Sequence, residues 1–277
     1  MLDPHFQYVE PQSLEEAVDL LGRFGGEAVV LGGGTMMVPE MTSDARRPRV
    51  AIGIRRLDLS TISQENDEVI IGAGVSYTAL IASELIARQV PLLHDMARQI
   101  TGGVQIRNQG TLIGSAAFAN PTSDAPTCLV ALGARIRLAG PQGQRSVPAA
   151  EFFLGAFETA RRPDEMLTAV SVPITKDQPV WAAYRKLKHA EGSWPIVTAA
   201  CLITGRRHAR VAMGAATRRP IVASGEVDGG GPETFVRLLT EQMQECWEDP
   251  LADGAYRRFA APTLVARTIA AAMELRR

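Results

Sequence analysis

Leu31-Gly32-Gly33-Gly34-Thr35-Met36-Met37 is the stretch on which the fold turns. It continues Ala28-Val29-Val30-Leu31, a wholly apolar run of the kind expected in a strand covered on both faces. Three consecutive glycines let the chain turn sharply and adopt positive φ. Without β-carbons, a ligand can approach the backbone, and successive N–H groups can point at one anion, a geometry that suits pyrophosphate. Thr35 adds a hydroxyl donor. A tight turn without any ligand accounts for the same glycines. The loop is not a Rossmann fingerprint, which needs G-x-G-x-x-G and a helix behind it. Here Thr35-Met36-Met37-Val38-Pro39 follows and supplies no third glycine. A nicotinamide-dependent dehydrogenase is disfavoured on that ground. No Gly-Lys-Ser/Thr follows either, so this is not a P-loop.

Working outward, Ser13-Leu14-Glu15-Glu16 fits a capping box that opens a helix with Leu14, Ala17, Val18 and Leu21 on one face. Val50, Ile52 and Ile54 alternate, so a second strand ends near Arg55. The opening unit therefore reads helix, strand, glycine loop, strand. Beyond Leu57, Val69 and Ile71 mark another strand. Thr78 to Arg88 and Leu92 to Ile100 read as helices split by Pro91. Thr101 to Thr127 has little periodicity, and a structureless stretch of that length is usually functional. A helix from Cys128 to Leu132 and strands near Ile136 and from Leu167 to Val172 complete this part. Pro173 to Pro179 reads as a linker. Strands at Val180 to Lys186, Ile196 to Ile203 and Ala209 to Ala215 follow. Two helices, begun by Pro232 and Pro262, close the chain.

With 277 residues, the chain can bury roughly three quarters of its unfolded surface and needs neither disulfide nor metal to fold. A formal net charge of −1 argues against a nucleic-acid partner. No apolar run approaches the ~20 residues of a membrane helix, and no signal peptide is evident. Cys128, Cys201 and Cys246 lie far apart without a CxxC, so no iron–sulfur or zinc site is expected in this chain. The expectation is a cytoplasmic protein with reduced thiols.

A second small-residue loop runs from Arg107-Asn108-Gln109-Gly110-Thr111 through Gly114-Ser115-Ala116-Ala117, and Asn120-Pro121-Thr122-Ser123-Asp124 comes next. Thr111, Ser115 and Asn120 supply donors. Asp124 reads either as an acceptor for ribose hydroxyls or as the N-cap of a helix beginning near Pro126.

Taken in order, these stretches resemble the FAD-binding subunit of the xanthine dehydrogenase and carbon monoxide dehydrogenase family. The first motif of that family, a strand followed by A-G-G-T/H-D/S, is similar to Leu31-Gly32-Gly33-Gly34-Thr35. The second, I-R-N-x-G-T-x-G-G-[NDS]-x-A, is similar to Ile106 to Ala117. Phe6-Gln7-Tyr8-Val9-Glu10-Pro11, Tyr184-Arg185-Lys186-Leu187 and Tyr256-Arg257-Arg258 agree with it as well. Ile113 stands where the first glycine of the G-G pair usually sits, and Met36 where an aspartate or serine is common.

The resemblance implies an α+β architecture of the vanillyl-alcohol-oxidase type. Residues 1–56 and 57–175 would form two FAD-binding subdomains, and 179–277 a small C-terminal α+β domain. It implies an extended FAD lined by Leu31 to Met37, Thr111, Gly114, Ser115, Asn120, Asp124, Leu167 and Lys186. For Leu167 a core strand position, and for Lys186 a solvated surface lysine, are the competing readings. None of His5, His94, His189 and His208 sits in a glycine loop, so the FAD is expected to be non-covalent. The resemblance further implies a large molybdopterin-binding subunit and a small subunit with two 2Fe-2S clusters, assembled as a dimer of heterotrimers. Electrons would pass from the clusters to FAD and on to an external acceptor, with the substrate, an N-heteroaromatic as in some bacterial three-subunit members, oxidised on the large subunit. The alternatives are a self-sufficient flavin oxidase of the same fold and a non-enzymatic assembly protein.

Overall fold

The computed structural model describes residues 6–174, 180–205, 207–227 and 231–276. Most of the expected linker, from residue 175 to 179, lies outside the described residues. The first unit comprises β1 (Gln7–Val9), α1 (Leu14–Phe24), β2 (Ala28–Leu31), α2 (Met37–Thr42) and β3 (Val50–Gly53). The strands form a parallel sheet of order β1-β3-β2. Ser13 Oγ accepts the Glu16 N–H at 3.1 Å, while Glu16 reaches back to the Gln12 N–H at 2.7 Å. One orphan donor of α1 is thereby satisfied, and the chain is tied down just ahead of the N-cap. The alternation of Val50 and Ile52 suggests a half-exposed strand, yet all of β3 is buried. Val50 and Ile52 pack with Ala17 and Leu21 of α1, whereas Ala51 packs with Val29 and Met41 on the opposite face. Helix α2, between glycine loop and strand, was not expected from the sequence. It spans only six residues, too short for a periodic pattern to register.

The second unit holds β4 (Ile62–Glu65), β5 (Glu68–Gly72), α3 (Tyr77–Ala82), α4 (Glu84–Gln89), α5 (Pro91–Arg98), α6 (Gly103–Gln109), α7 (Leu112–Phe118), α8 (Asp124–Ala131), β6 (Arg135–Gly140), β7 (Gly143–Pro148), α9 (Ala149–Phe152), β8 (Phe153–Gly155), β9 (Glu158–Thr159) and β10 (Met166–Pro173). Its main sheet is antiparallel, in the order β4-β5-β10-β6-β7. Two expectations need correction. The helix from Thr78 to Arg88 is broken at Ser83, which is extended and caps α4 by accepting the Ile86 N–H at 3.3 Å. The stretch from Thr101 to Thr127 is not structureless. It folds into α6, α7 and the start of α8, each too short to build a stripe.

The last unit is an antiparallel meander of β11 (Val180–Lys188), β12 (Pro195–Thr204), β13 (His208–Gly214) and β14 (Ile221–Glu226), with α10 (Gly231–Glu241) and α11 (Gly254–Glu274). Phe235, Leu239, Val265 and Ile269 from the helices bury Val197, Cys201 and Val211 on one face. Tyr184, Ala200 and Ala212 on the other face join the core of the second unit. Pro262 does not begin a helix but lies inside α11, whose start is set by Asp253 accepting the Tyr256 N–H at 2.7 Å. Arg257, fully buried, donates to the carbonyls of Ile196 (2.6 Å) and Ala215 (2.8 Å), tying α11 to the sheet.

Candidate cofactor site

The two glycine loops meet. A β-carbon on Gly33 would lie 1.8 Å from the Gln109 carbonyl oxygen. The second glycine of the triplet is thus required by loop-on-loop contact. Gly34 takes φ +69°, a conformation that side chains disfavour. A cleft of about 300 Å³ opens beside this crossing, near the lower end of the range for small-molecule sites. Leu31, Gly32, Gly33, Gly34, Thr35, Met36 and Met37 line it from the first loop, and Thr111, Gly114 and Ser115 from the second. Leu167, on β10, completes the opposite wall. A smaller hollow of about 180 Å³ shares Gly32, Gly33 and Thr111.

Among the described residues, the N–H groups of Gly33, Gly34, Thr35, Met36 and Met37 donate to no protein acceptor. They cluster where α2 begins, a grouping of donors that attracts an anion. Thr111 Oγ1 accepts the Gly114 N–H at 2.9 Å as the N-cap of α7, which leaves its own hydrogen free to donate. Ser115 Oγ lies 2.6 Å from the Tyr77 hydroxyl. Burial pushes the Tyr77 phenol far above its ordinary pKa, so it stays protonated. Ile113, at the position of a family glycine, is buried in α7, so its larger side chain is taken up by the core.

Three expected residues stand away from the cleft lining. Asn120 turns inward, its Oδ1 accepting from the backbone N–H and hydroxyl of Thr122. Asp124 is not an N-cap. Ser123 holds that position, and Asp124 is the first residue of α8. The Asp124 carboxylate is buried, accepting from the Tyr184 hydroxyl and from Lys186 Nζ, the latter at 2.7 Å. Lys186 is likewise no solvated lysine. Its side chain is 4% exposed and also donates to the Gln99 carbonyl at 2.7 Å. Burial first, then the Asp124 charge, push the Tyr184 phenol well up.

Sequence reasoning missed several lining residues: Phe118, Phe157, Arg46, Arg161 and Glu165. No motif marks them, and Arg161 and Glu165 reach the cleft only through the β9–β10 connection. Phe157 carries φ +58° and packs edge-on against Phe118 at 5.4 Å. Its strained backbone had no sequence signal, since it is not glycine or asparagine.

Residues 4–175 match the model of the FAD binding domain in molybdopterin dehydrogenase. The chain belongs to this family. The medium chain of carbon monoxide dehydrogenase from Hydrogenophaga pseudoflava is 37% identical over 220 residues, covering 77% of this chain and 75% of that one. A solved structure of carbon monoxide dehydrogenase from the same organism superposes with a TM-score of 0.89 at 31% identity, over 99% of both chains. Quinoline 2-oxidoreductase from Pseudomonas putida 86 does so with a TM-score of 0.87 at 27% identity, again over 99% of both. This FAD subunit of the molybdenum hydroxylase family is therefore an oxidoreductase component with FAD as its cofactor. The residues present fit that cofactor: unpaired backbone donors for an anion, a glycine-walled crossing, and an apolar wall at Leu167. Among the described residues, no His, Cys, Asp or Glu cluster could hold a metal ion, and no helix is long and apolar enough to cross a membrane.

Proposed function

We propose that this subunit relays electrons from 2Fe-2S clusters on a small partner subunit to an external acceptor, while a large molybdopterin-binding partner oxidises the substrate. The observation that carries the reading is the crossing of the two glycine loops beside a cleft rich in unpaired backbone donors. Bound FAD supplies the redox chemistry, and the protein's work is to bind, orient and tune it. Leu31 to Met37, Thr111, Gly114, Ser115 and Leu167 line the pocket and hold the cofactor non-covalently. Gly33 to Met37 offer N–H groups to the pyrophosphate. Thr111 adds a hydroxyl, and Ser115 is oriented by Tyr77. Asn120, Asp124 and Lys186 contribute by fixing the wall behind the site, where the buried Asp124–Lys186 pair locks α8 and α5 against β11. The three free cysteines, two of them buried, suit a division of labour in which the clusters reside on another chain.

The likeness to quinoline 2-oxidoreductase supports an N-heteroaromatic substrate for the complex. A cytoplasmic dimer of heterotrimers is the assembly we propose. The test is the visible spectrum of the purified full chain before and after acid precipitation. Bands near roughly 370 and 450 nm, a property of the flavin itself, should pass into the acid supernatant. A protein that carries no flavin and takes up no added FAD would overturn the reading.

A further inference from the structure

Two arginines line the cleft outside the glycine loops. Arg46 follows α2, and Arg161 follows β9. Neither lies in a glycine motif. Arg46 Nε is 3.1 Å from Glu40 Oε2, and Glu40 also lines the cleft. Arg161 is held by one nitrogen only. Its Nη1 donates to the carbonyls of Glu165 at 2.8 Å, Arg162 at 3.0 Å and Pro163 at 3.4 Å. Among the described residues its Nε and Nη2 have no acceptor. A guanidinium anchored at one nitrogen keeps a fork of donors aimed in a fixed direction. The two cations also sense each other. Burial, and to a smaller extent the Arg46 charge, lower the pKa of Arg161 against the pull of Glu165. Like charges gathered at one cleft work against folding unless something else repays them. Structural need does not account for Arg46, which is half exposed, and it accounts for only one nitrogen of Arg161, the Nη1 that braces its own loop.

We infer that Arg46 and Arg161 clamp the phosphate groups of the dinucleotide, supplying the cationic side chains that the glycine loops lack. This rests on the FAD reading and extends it. The backbone N–H groups of Gly33 to Met37 give directional hydrogen bonds but no net charge. The arginines give the charge, and Glu40 holds Arg46 ready at the rim. Both arginines being at the surface, their contribution is screened by salt. The clamp therefore favours a phosphorylated flavin over riboflavin, most strongly at low ionic strength.

The test measures FAD and riboflavin dissociation constants for the deflavinated full chain across a salt series, in wild type, Arg46→Gln, Arg161→Gln and the double variant. Melting temperatures of the apoproteins are recorded alongside. The double variant should bind FAD more weakly by roughly tenfold at low salt, as expected for charge-assisted contacts at a partly exposed site. It should lose most of its salt dependence, bind riboflavin as wild type does, and melt below wild type by no more than Arg161→Gln alone, which gives up the Nη1 bonds to the loop carbonyls. Unchanged FAD affinity with an unchanged salt slope would overturn the clamp. Equal weakening toward riboflavin, or a lowered melting temperature that accounts for the loss, would also overturn it in favour of a structural role. Wild type that takes up no FAD at all would instead bring down the flavin reading and this inference with it.

Discussion

The Gly32–Met37 loop and the Asp124–Lys186 pair answer the same expectation in opposite ways. Both were read as contacts for one cofactor. The loop leaves its hydrogen-bonding capacity open: five consecutive N–H groups have no protein acceptor among the described residues. The pair has closed its capacity upon itself. Asp124 is taken by Tyr184 and Lys186, and Lys186 by Asp124 and Gln99. A ligand can engage the first without breaking anything, whereas it could engage the second only by dismantling a buried ion pair. In the reading we propose, backbone donors freed by glycine make the binding surface. Buried charges paired between α8 and β11 make a joint.

Substitution at Gly33 should separate the two most sharply. A β-carbon there would strike Gln109 at 1.8 Å and force the loops apart. Gly33→Ala should abolish FAD uptake and destabilise the chain by about 2–4 kcal/mol, in the range of overpacking and backbone strain. Flavin content and denaturant unfolding measure the two effects. Retained flavin would mean that the crossing is not the site.

Asp124→Ala should be at least as damaging to stability but milder for binding. It strands Lys186 as an unpaired buried charge, at a cost of about 3–5 kcal/mol. Asp124→Leu combined with Lys186→Met should recover much of that stability. If FAD affinity in the double variant falls as far as in Gly33→Ala, the pair is a ligand contact and the contrast fails.

The smallest effect concerns pH. Glu165, at the cleft wall, accepts from Arg145 at 2.6 and 2.8 Å, and chiefly that hydrogen bond holds its carboxyl below the usual range. A depressed folded-state pKa contributes stability that is fully present above the unfolded value, near 4.5, and is lost as pH falls through the lower folded value. Melting temperature should therefore drop more steeply below about pH 4.5 in wild type than in Glu165→Gln. Parallel curves would remove Glu165 from the account.

Much of the first unit was legible because its signals are local. Ser13 caps α1 as its spacing with Glu16 predicts, although Glu16 reaches back to Gln12 rather than to Ser13, and the apolar run before Gly32 is a parallel strand. The glycine triplet was legible as an open loop, and it does line the cleft, but the division of work within it was not: Gly33 serves the neighbouring loop. Sequence failed where a position's role is set by something distant in the chain. Asp124 has the composition of a cap or a ribose acceptor, and only the arrival of β11 turns it into the partner of Lys186. Lys186 looked solvated for the same reason. Pro262 resembled a helix start because the true start, Asp253, lies well upstream on a helix long enough to absorb a missing N–H. Arg46 and Arg161 carry no motif, and the fold alone brings them to one cleft.

Amide hydrogen exchange on the full chain, with and without FAD, tests the central contrast most directly. The amides of Gly33 to Met37 have no protein acceptor among the described residues and should exchange rapidly in the apoprotein. The account predicts that FAD protects them strongly, while exchange around Asp124 and along β11 changes little. FAD binding that leaves Gly33 to Met37 unprotected and instead alters exchange around Asp124 and Lys186 would contradict it.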